Sequence, residues 1–83
     1  MLVESFGSII VPLGKDMSAS IRQDGNTKCV ALYVPNQLVP ADDWTTRSSD
    51  ITGFWVVFQT TEELIVLLDE LVIYSEEKDN EEI

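Results

Sequence analysis

The fold is decided by residues 54–72, which read FWVVFQTTEELIVLLDELV. The first five residues are apolar without interruption, as in a central strand buried on both faces, and we predict such a strand over residues 51–59. After Thr60 the apolar residues recur every three to four positions, which is the period of an amphipathic helix. Thr60 followed three residues later by Glu63 is a capping-box pattern. We therefore predict a strand that leads directly into a helix.

The predicted helix has an apolar side and runs to about Glu77. The residues expected on that side are Leu64, Ile65, Leu67, Leu68, Leu71 and Val72. The β-rich stretch 71–74 leaves open an earlier end near Glu70. Residues 78–83 lack a core-forming pattern, so we expect one compact domain over residues 1–77 and an acidic, frayed tail over 78–83.

A hairpin is predicted upstream of this strand. Strand-like runs at residues 19–23 and 27–34 flank Asp24-Gly25-Asn26, and glycine accepts the positive φ that a tight turn needs. Residues 2–12 are rich in β-branched and aromatic types and indicate a first strand, bent near Gly7. The predicted fold class is α+β, a small antiparallel sheet of three to four strands packed against one C-terminal helix.

Residues 35–50 are predicted to form a long loop. At about sixteen residues it exceeds most connections in compact domains, which favours a functional or partly helical segment. Asp42, Asp43 and Trp44 lie within it and are suited to begin a short helical turn. An aromatic residue beside two acids is either a recognition tip or, more commonly, a lid that folds back over the core.

Composition excludes several classes of function. The chain has 83 residues and a formal charge of −10, with five Lys plus Arg against fifteen Asp plus Glu. Such a charge repels phosphates and anionic membrane surfaces, so we expect neither direct nucleic-acid binding nor membrane binding. Apolar residues make up 45% of the chain, which is too many for a disordered acidic tail.

We expect neither catalysis nor a metal or other cofactor. The sequence contains no His, which removes the usual catalytic triads and imidazole zinc sites. The glycines are too far apart for a phosphate loop, and residues 42–47 lack the spacing of a calcium loop. Cys29, the single cysteine, lies in a strand-like run and is interpreted as a small buried residue.

Location is predicted from what the sequence lacks. One cysteine allows no intramolecular disulfide, the N-terminus lacks the basic start of a signal peptide, and no apolar run approaches the ~20 residues of a membrane span. We therefore expect a cytoplasmic protein, in the host cytoplasm if the chain is phage-encoded.

The negative charge is concentrated near the C-terminus. Residues 62–83 have a net charge of −8, against −2 for residues 1–61. Three pairs of acids recur every seven residues, and on a helix all six fall within an arc of roughly 140°. We call this set the acidic ladder: Glu62, Glu63, Asp69, Glu70, Glu76 and Glu77. Val66 and Ile73 fall inside the same arc.

Two interpretations of the acidic ladder remain open. In the first, it is a solvated face that keeps the protein soluble, since no two of its acids stand three or four residues apart. In the second, it docks on a basic surface, with apolar contacts between the charges. The residues expected to bind a partner are Glu62, Glu63, Val66, Asp69, Glu70, Ile73, Glu76 and Glu77, with Asp42, Asp43 and Trp44 in the loop.

Two functions from different classes follow. One is a nucleic-acid-mimicking inhibitor that docks carboxylates on the basic groove of a nucleic-acid-binding protein; in general character the chain is similar to small acidic phage-encoded inhibitors of nucleases, polymerases and CRISPR effectors. The other is an accessory subunit, or a homo-oligomer such as a homodimer, that uses its β-rich apolar surface.

Overall fold

The computed structural model describes residues 8–35, 37–45 and 51–81. The strands are β1 (Ser8–Pro12), β2 (Ser18–Asp24), β3 (Thr27–Val34), β4 (Gln37–Val39), β5 (Ile51–Thr52) and β6 (Trp55–Phe58). A 3-10 helix spans Ala41–Asp43, and the helix α1 spans Thr61–Glu81. The strands form one antiparallel sheet in the order β1-β2-β3-β6-β5, with β4 also pairing with β3. The predicted α+β class is confirmed.

The β2–β3 hairpin is confirmed at the predicted turn. Asp24 pairs with Thr27 across the two-residue loop Gly25-Asn26, and Gly25 has φ 64°. β3 is the central strand of the sheet. β2 pairs with one of its edges, and β4 and β6 pair with different parts of the other edge. The part of the predicted first strand that precedes Ser8, with its bend near Gly7, lies outside the described residues.

The prediction of one central strand over residues 51–59 is wrong. Gly53 has φ 64° and, with Phe54, forms a turn that divides this stretch into the hairpin β5–β6. In β6, Val56 and Phe58 are buried, whereas Trp55 and Val57 are only half-buried. β6 is therefore a strand of alternating burial next to the central strand. The apolar run that follows Gly53 favoured a continuous strand and obscured the turn that glycine permits.

The core lies between α1 and one face of the sheet. Cross-strand pairs place alternate residues of each strand on this face, and the helix supplies Leu67 and Leu71. The buried residues of the core are Ala19, Val30, Leu32, Val39, Ala41, Trp44, Val56, Phe58, Leu67 and Leu71. The described part of the chain is thus two layers, one helix on one face of one sheet.

The capping box at the start of α1 is confirmed. The Glu63 amide donates to Thr60 Oγ1 (3.1 Å), and Glu63 Oε1 accepts from the Thr60 amide (3.3 Å). The helix continues to Glu81, four residues past the predicted end, and does not stop near Glu70. The division into a domain and a frayed tail stays a prediction.

The buried side of α1 is narrower than predicted. Ile65 is 52% exposed and Val72 is 41% exposed, so neither belongs to the core. Ser75 is buried instead, and its Oγ accepts a hydrogen bond from the Gly14 amide (3.0 Å), which joins the helix to the β1–β2 turn. No helix in the described ranges combines the length and the apolar content that crossing a bilayer requires.

Candidate functional site

Part of the acidic ladder is fully presented to solvent. Glu62, Asp69 and Glu76 are exposed and follow one another at seven-residue intervals, about 10.5 Å apart along the helix. Ile73 lies among them and is 55% exposed, whereas Val66 is half-buried. The structure therefore keeps the predicted alternation of charge and apolar contact around Ile73 but weakens it around Val66.

Glu63 has a structural role within the ladder. Its Oε1 accepts hydrogen bonds from the amides of Gln59 (2.7 Å) and Thr60 (3.3 Å). These bonds satisfy donors that the first turn of a helix leaves without partners. One carboxylate oxygen is thus committed to the start of α1, which makes Glu63 a weaker candidate for partner contact than Glu62 beside it.

The remaining ladder residues meet the loop acids at a groove that the sequence did not predict. The groove has a volume of about 260 Å³ and runs between α1 and the 3-10 helix. We call it the acidic groove; its lining residues are Asp42, Asp43, Trp44, Thr45, Glu70, Ile73, Tyr74 and Glu77. Six of the residues predicted to bind a partner thus surround one depression.

Trp44 forms a wall of the acidic groove and belongs to the core. Its side chain is 5% exposed, and its indole N–H donates to the Val39 carbonyl (3.2 Å). The interpretation of Trp44 as a lid over the core is confirmed. Its burial positions the 3-10 helix, so that the exposed Asp42 and Asp43 face α1.

Glu70 is the half-buried acid of the groove. Its Oε1 is buried and has no hydrogen-bond partner among the residues that the structure describes. A buried carboxylate oxygen without a donor costs on the order of 1–3 kcal/mol. Because this oxygen is closed to solvent, Glu70 is a weaker candidate for partner contact than the exposed Glu77 in the same groove.

The single basic residue of α1 lies on the side nearer the sheet. The Lys78 ammonium is 5.4 Å from the ring centre of Tyr74, a cation–π distance. Lys78 is half-buried, while Glu76 and Glu77 beside it in sequence are exposed. The solvent-facing side of the helix therefore presents carboxylates to an approaching molecule.

The sheet face opposite α1 carries an aromatic cluster that the sequence did not predict. Tyr33 and Trp55 meet edge to face with ring centres 6.4 Å apart, and the Arg22 guanidinium lies 5.2 Å from the Trp55 ring centre. We call Arg22, Tyr33 and Trp55 the aromatic face. Strand alternation predicts that Arg22 and Ile21 lie on opposite faces of the sheet. The contact of Arg22 with Trp55 depends in addition on the β3–β6 pairing.

Cys29 lies beside the aromatic face and is not an activated thiol. It pairs with Arg22 on β2 and Val57 on β6. Burial raises the pKa of the Cys29 thiol; the Arg22 charge lowers it and the Asp24 charge raises it further, with burial the larger effect. A thiol with a raised pKa is a poor nucleophile at neutral pH. The side chain is half-buried, so the prediction of a small buried residue is confirmed only in part.

No family model, no curated protein and no solved structure matches the chain. Among the described residues, no group of three or more His, Cys, Asp or Glu side chains is placed to hold a metal ion.

Proposed function

We propose that this protein is a non-enzymatic binding protein that docks its carboxylates on the basic groove of a nucleic-acid-binding protein and so inhibits it as a nucleic-acid mimic. The main support is the convergence of the acidic ladder with Asp42 and Asp43 at the acidic groove, since acids from two distant parts of the chain share one side of the molecule. This proposal places the protein in the cytoplasm, where such partners act.

The position of the acids along α1 supports a role in binding. A helix carries partial negative charge at its C-terminus, and an acid there costs about 0.3–1 kcal/mol. Glu76 and Glu77 lie in the last two turns of α1, far from the N-terminal end where an acid is favourable, so the helix dipole does not stabilise them. The combined field attracts a basic partner and speeds encounter with it.

Ile73 supplies the apolar part of the proposed contact. It is 55% exposed and lines the acidic groove together with Glu70 and Glu77. Charge complementarity mainly selects the partner and raises the association rate, while buried apolar side chains supply much of the affinity. A purely solubilising face would gain nothing from a large exposed isoleucine among its carboxylates.

The test is capture of a partner from the native host by the full chain, followed by reconstitution with the purified partner. We expect binding that weakens with rising salt and is competed by double-stranded DNA or RNA. The variant Asp69→Lys/Glu76→Lys should weaken binding by at least about tenfold, because two exposed attractive charges become repulsive. We choose these positions over Glu70 because its burial ties it to the fold.

A matched control is available at two acids of the sheet layer, Asp16 in the β1–β2 turn and Asp24 at the end of β2. Asp16→Lys/Asp24→Lys makes the same change in net charge at two exposed acids outside the ladder and the groove. This control should bind nearly as the wild type does. Equal losses in both variants would show that only net charge matters, and binding that ignores salt and nucleic acid would reject mimicry.

An accessory subunit remains a second candidate, favoured by the aromatic face. Here Tyr33 and Trp55 would pack on another protein, and the acidic ladder would only face water. In the same capture experiment, Tyr33→Ser would then abolish binding while Asp69→Lys/Glu76→Lys would leave it unchanged. The mimicry proposal expects the opposite pattern.

A further inference from the structure

The outer edge of β1 has hydrogen-bonding groups that no strand in the described ranges pairs with. β1 is the first strand of the sheet and pairs only with β2 in the described part of the chain. An edge of this kind is a template for another strand. This edge is separate from the acidic ladder and the acidic groove.

The registers show which groups point outward. The two-residue β2–β3 loop makes Asp24 and Thr27 a hydrogen-bonded pair, so on β2 the groups of residues 20, 22 and 24 point to β3. Those of Ala19 and Ile21 therefore point to β1, where they meet Val11 and Ile9. By alternation, the N–H and C=O groups of Ser8 and Ile10 and the C=O of Pro12 point away from the sheet.

β1 has few of the features that usually keep an edge strand from pairing, such as charged side chains or a proline inside the strand. The strand reads SIIVP, without any charged residue, and proline enters only at its last position. Ile9 is 60% exposed on the face toward α1, and Ile10 is 64% exposed on the opposite face. A strand added here would cover apolar side chains on both faces of the sheet.

We propose that β1 pairs with β1 of a second copy of this chain, antiparallel and centred on Ile10, to give a two-fold symmetric dimer with a continuous sheet. In this register Ile10 pairs with its own copy and exchanges two hydrogen bonds, and each Ser8 amide donates to the Pro12 carbonyl of the partner copy. Because proline has no N–H, only the reciprocal bonds, from Pro12 to the Ser8 carbonyl of the partner copy, are missing. The outward-facing set therefore complements itself.

The side chains of the two strands complement each other in the same register. Ile10 faces Ile10 of the partner copy on the open face, and Ile9 faces Val11 of the partner copy on the face toward α1. Apolar and β-branched pairs of this kind stabilise adjacent strands. A peptide of another protein would need the same alternation of bonds and side chains, whereas a second copy has it by symmetry.

The charge distribution favours this edge for self-association. Glu70 and Glu77 line the acidic groove on one flank of α1, together with Asp42 and Asp43. The other flank approaches the β1–β2 turn, where Ser75 bonds to Gly14. Pairing through β1 therefore keeps the acidic grooves of the two copies on the outer sides of the dimer, where screening limits their repulsion.

The first test is the mass of the full chain in solution over a range of concentrations. A five-residue seam is smaller than a stable interface needs, so we expect a dimer that forms on concentration and dissociates on dilution, with a limit at twice 9.3 kDa. A chain that stays monomeric at every concentration would overturn the proposal.

A pair of variants separates edge pairing from general charge effects. Ile10→Lys places two ammonium groups opposite each other at the dimer axis and should weaken dimerisation by about tenfold or more. Ile65→Lys makes the same change at a similarly exposed isoleucine on α1, outside the acidic groove, and should leave dimerisation unchanged. Dimerisation that resists Ile10→Lys, or is lost equally in both variants, contradicts the proposal.

Amide hydrogen exchange tests the register without substitution. Ser8 and Ile10 amides should become protected as concentration rises, while Ile9 and Val11 amides, which bond to β2, should be protected throughout. Protection of Ser8 and Ile10 that does not depend on concentration would mean that the chain's own residues cover the edge, and the proposal would fail. Partner capture by a dimer-deficient Ile10→Lys chain tests the proposed function separately.

Discussion

The two flanks of α1 differ in what the fold does with their polar groups. On the flank of the β1–β2 turn, the polar side chain of Ser75 is buried and bonded to Gly14. On the flank of the acidic groove, Glu70 has a buried oxygen without a hydrogen-bond partner in the described residues, and Glu77 faces Asp42 and Asp43 across the groove. The first arrangement stabilises the helix, and the second gathers like charges at the cost of stability.

This difference separates a polar group that stabilises the fold from a set of carboxylates that does not. A polar group that serves stability finds an internal hydrogen bond when it is buried. The carboxylates of the acidic groove, which do not stabilise the fold, are among the groups that we propose to bind a partner. Substitutions on the two flanks test this distinction, and the largest effect is expected at Leu71, the buried residue on which both flanks depend.

Leu71→Ala should have the largest effect and weaken both flanks together. Leu71 is fully buried between them, so truncation should lower the free energy of unfolding by about 2–5 kcal/mol. Chemical denaturation measures this. Ile65→Ala is the control on the exposed side of the same helix and should change the free energy of unfolding by less than about 0.5 kcal/mol. Similar losses in both variants would contradict the described packing.

Trp44→Phe should loosen the acidic groove and leave the turn flank in place. The change removes the indole donor to the Val39 carbonyl and part of a buried ring, and should lower the free energy of unfolding by about 1–3 kcal/mol. Amide exchange near residues 41–45 should rise, while exchange near Gly14 should not. Uniform loosening of both regions would mean that the two flanks are coupled.

Ser75→Ala tests the other flank and should have a smaller effect. The Gly14 amide loses its acceptor, but Gly14 is exposed and water can replace it, so we expect a loss of about 0.5–1.5 kcal/mol. Ser75→Thr retains a hydroxyl and provides a comparison at the same site. An unchanged stability in Ser75→Ala would remove the structural role assigned to this flank.

Glu76→Gln should have the smallest effect, and it should be a gain. Glu76 lies just before the last turn of α1, where repulsion from the helix dipole is weak, so the free energy of unfolding should rise by only about 0.3 kcal/mol at low salt. Glu62→Gln, at the N-terminus of the same helix, should lower it by a similar amount. Changes of the same sign in both variants would contradict a dipole effect.

The sequence was most informative where the structure depends on neighbouring residues. The Thr60–Glu63 capping box needs only a three-residue spacing, and the hairpin at Gly25 needs only a glycine with positive φ between two strands. The prediction failed at residues 51–59 because Gly53 breaks a run whose apolar composition alone resembles a continuous strand. The capping box and the Gly25 hairpin were therefore predictable from neighbouring residues, whereas the turn at Gly53 was not.

The candidate site was predicted only in part, because it depends on long-range placement. The periodicity of α1 was enough to put Asp69 and Glu76 on an exposed face. The acidic groove also requires Trp44 to be buried, so that the 3-10 helix lies against α1, and β4 to pair with β3. β4 is three residues long and lies between Pro35 and Pro40, so no strand signal is visible there in the sequence.

The two tryptophans lie in different environments, which makes each a separate optical probe. Trp44 is buried in the wall of the acidic groove, whereas Trp55 is half-buried on the aromatic face, 5.2 Å from the Arg22 guanidinium. A chain that retains only one of them would report fluorescence from one side of the molecule. The wavelength shift on adding a partner would then show which surface it covers, without labelling the protein.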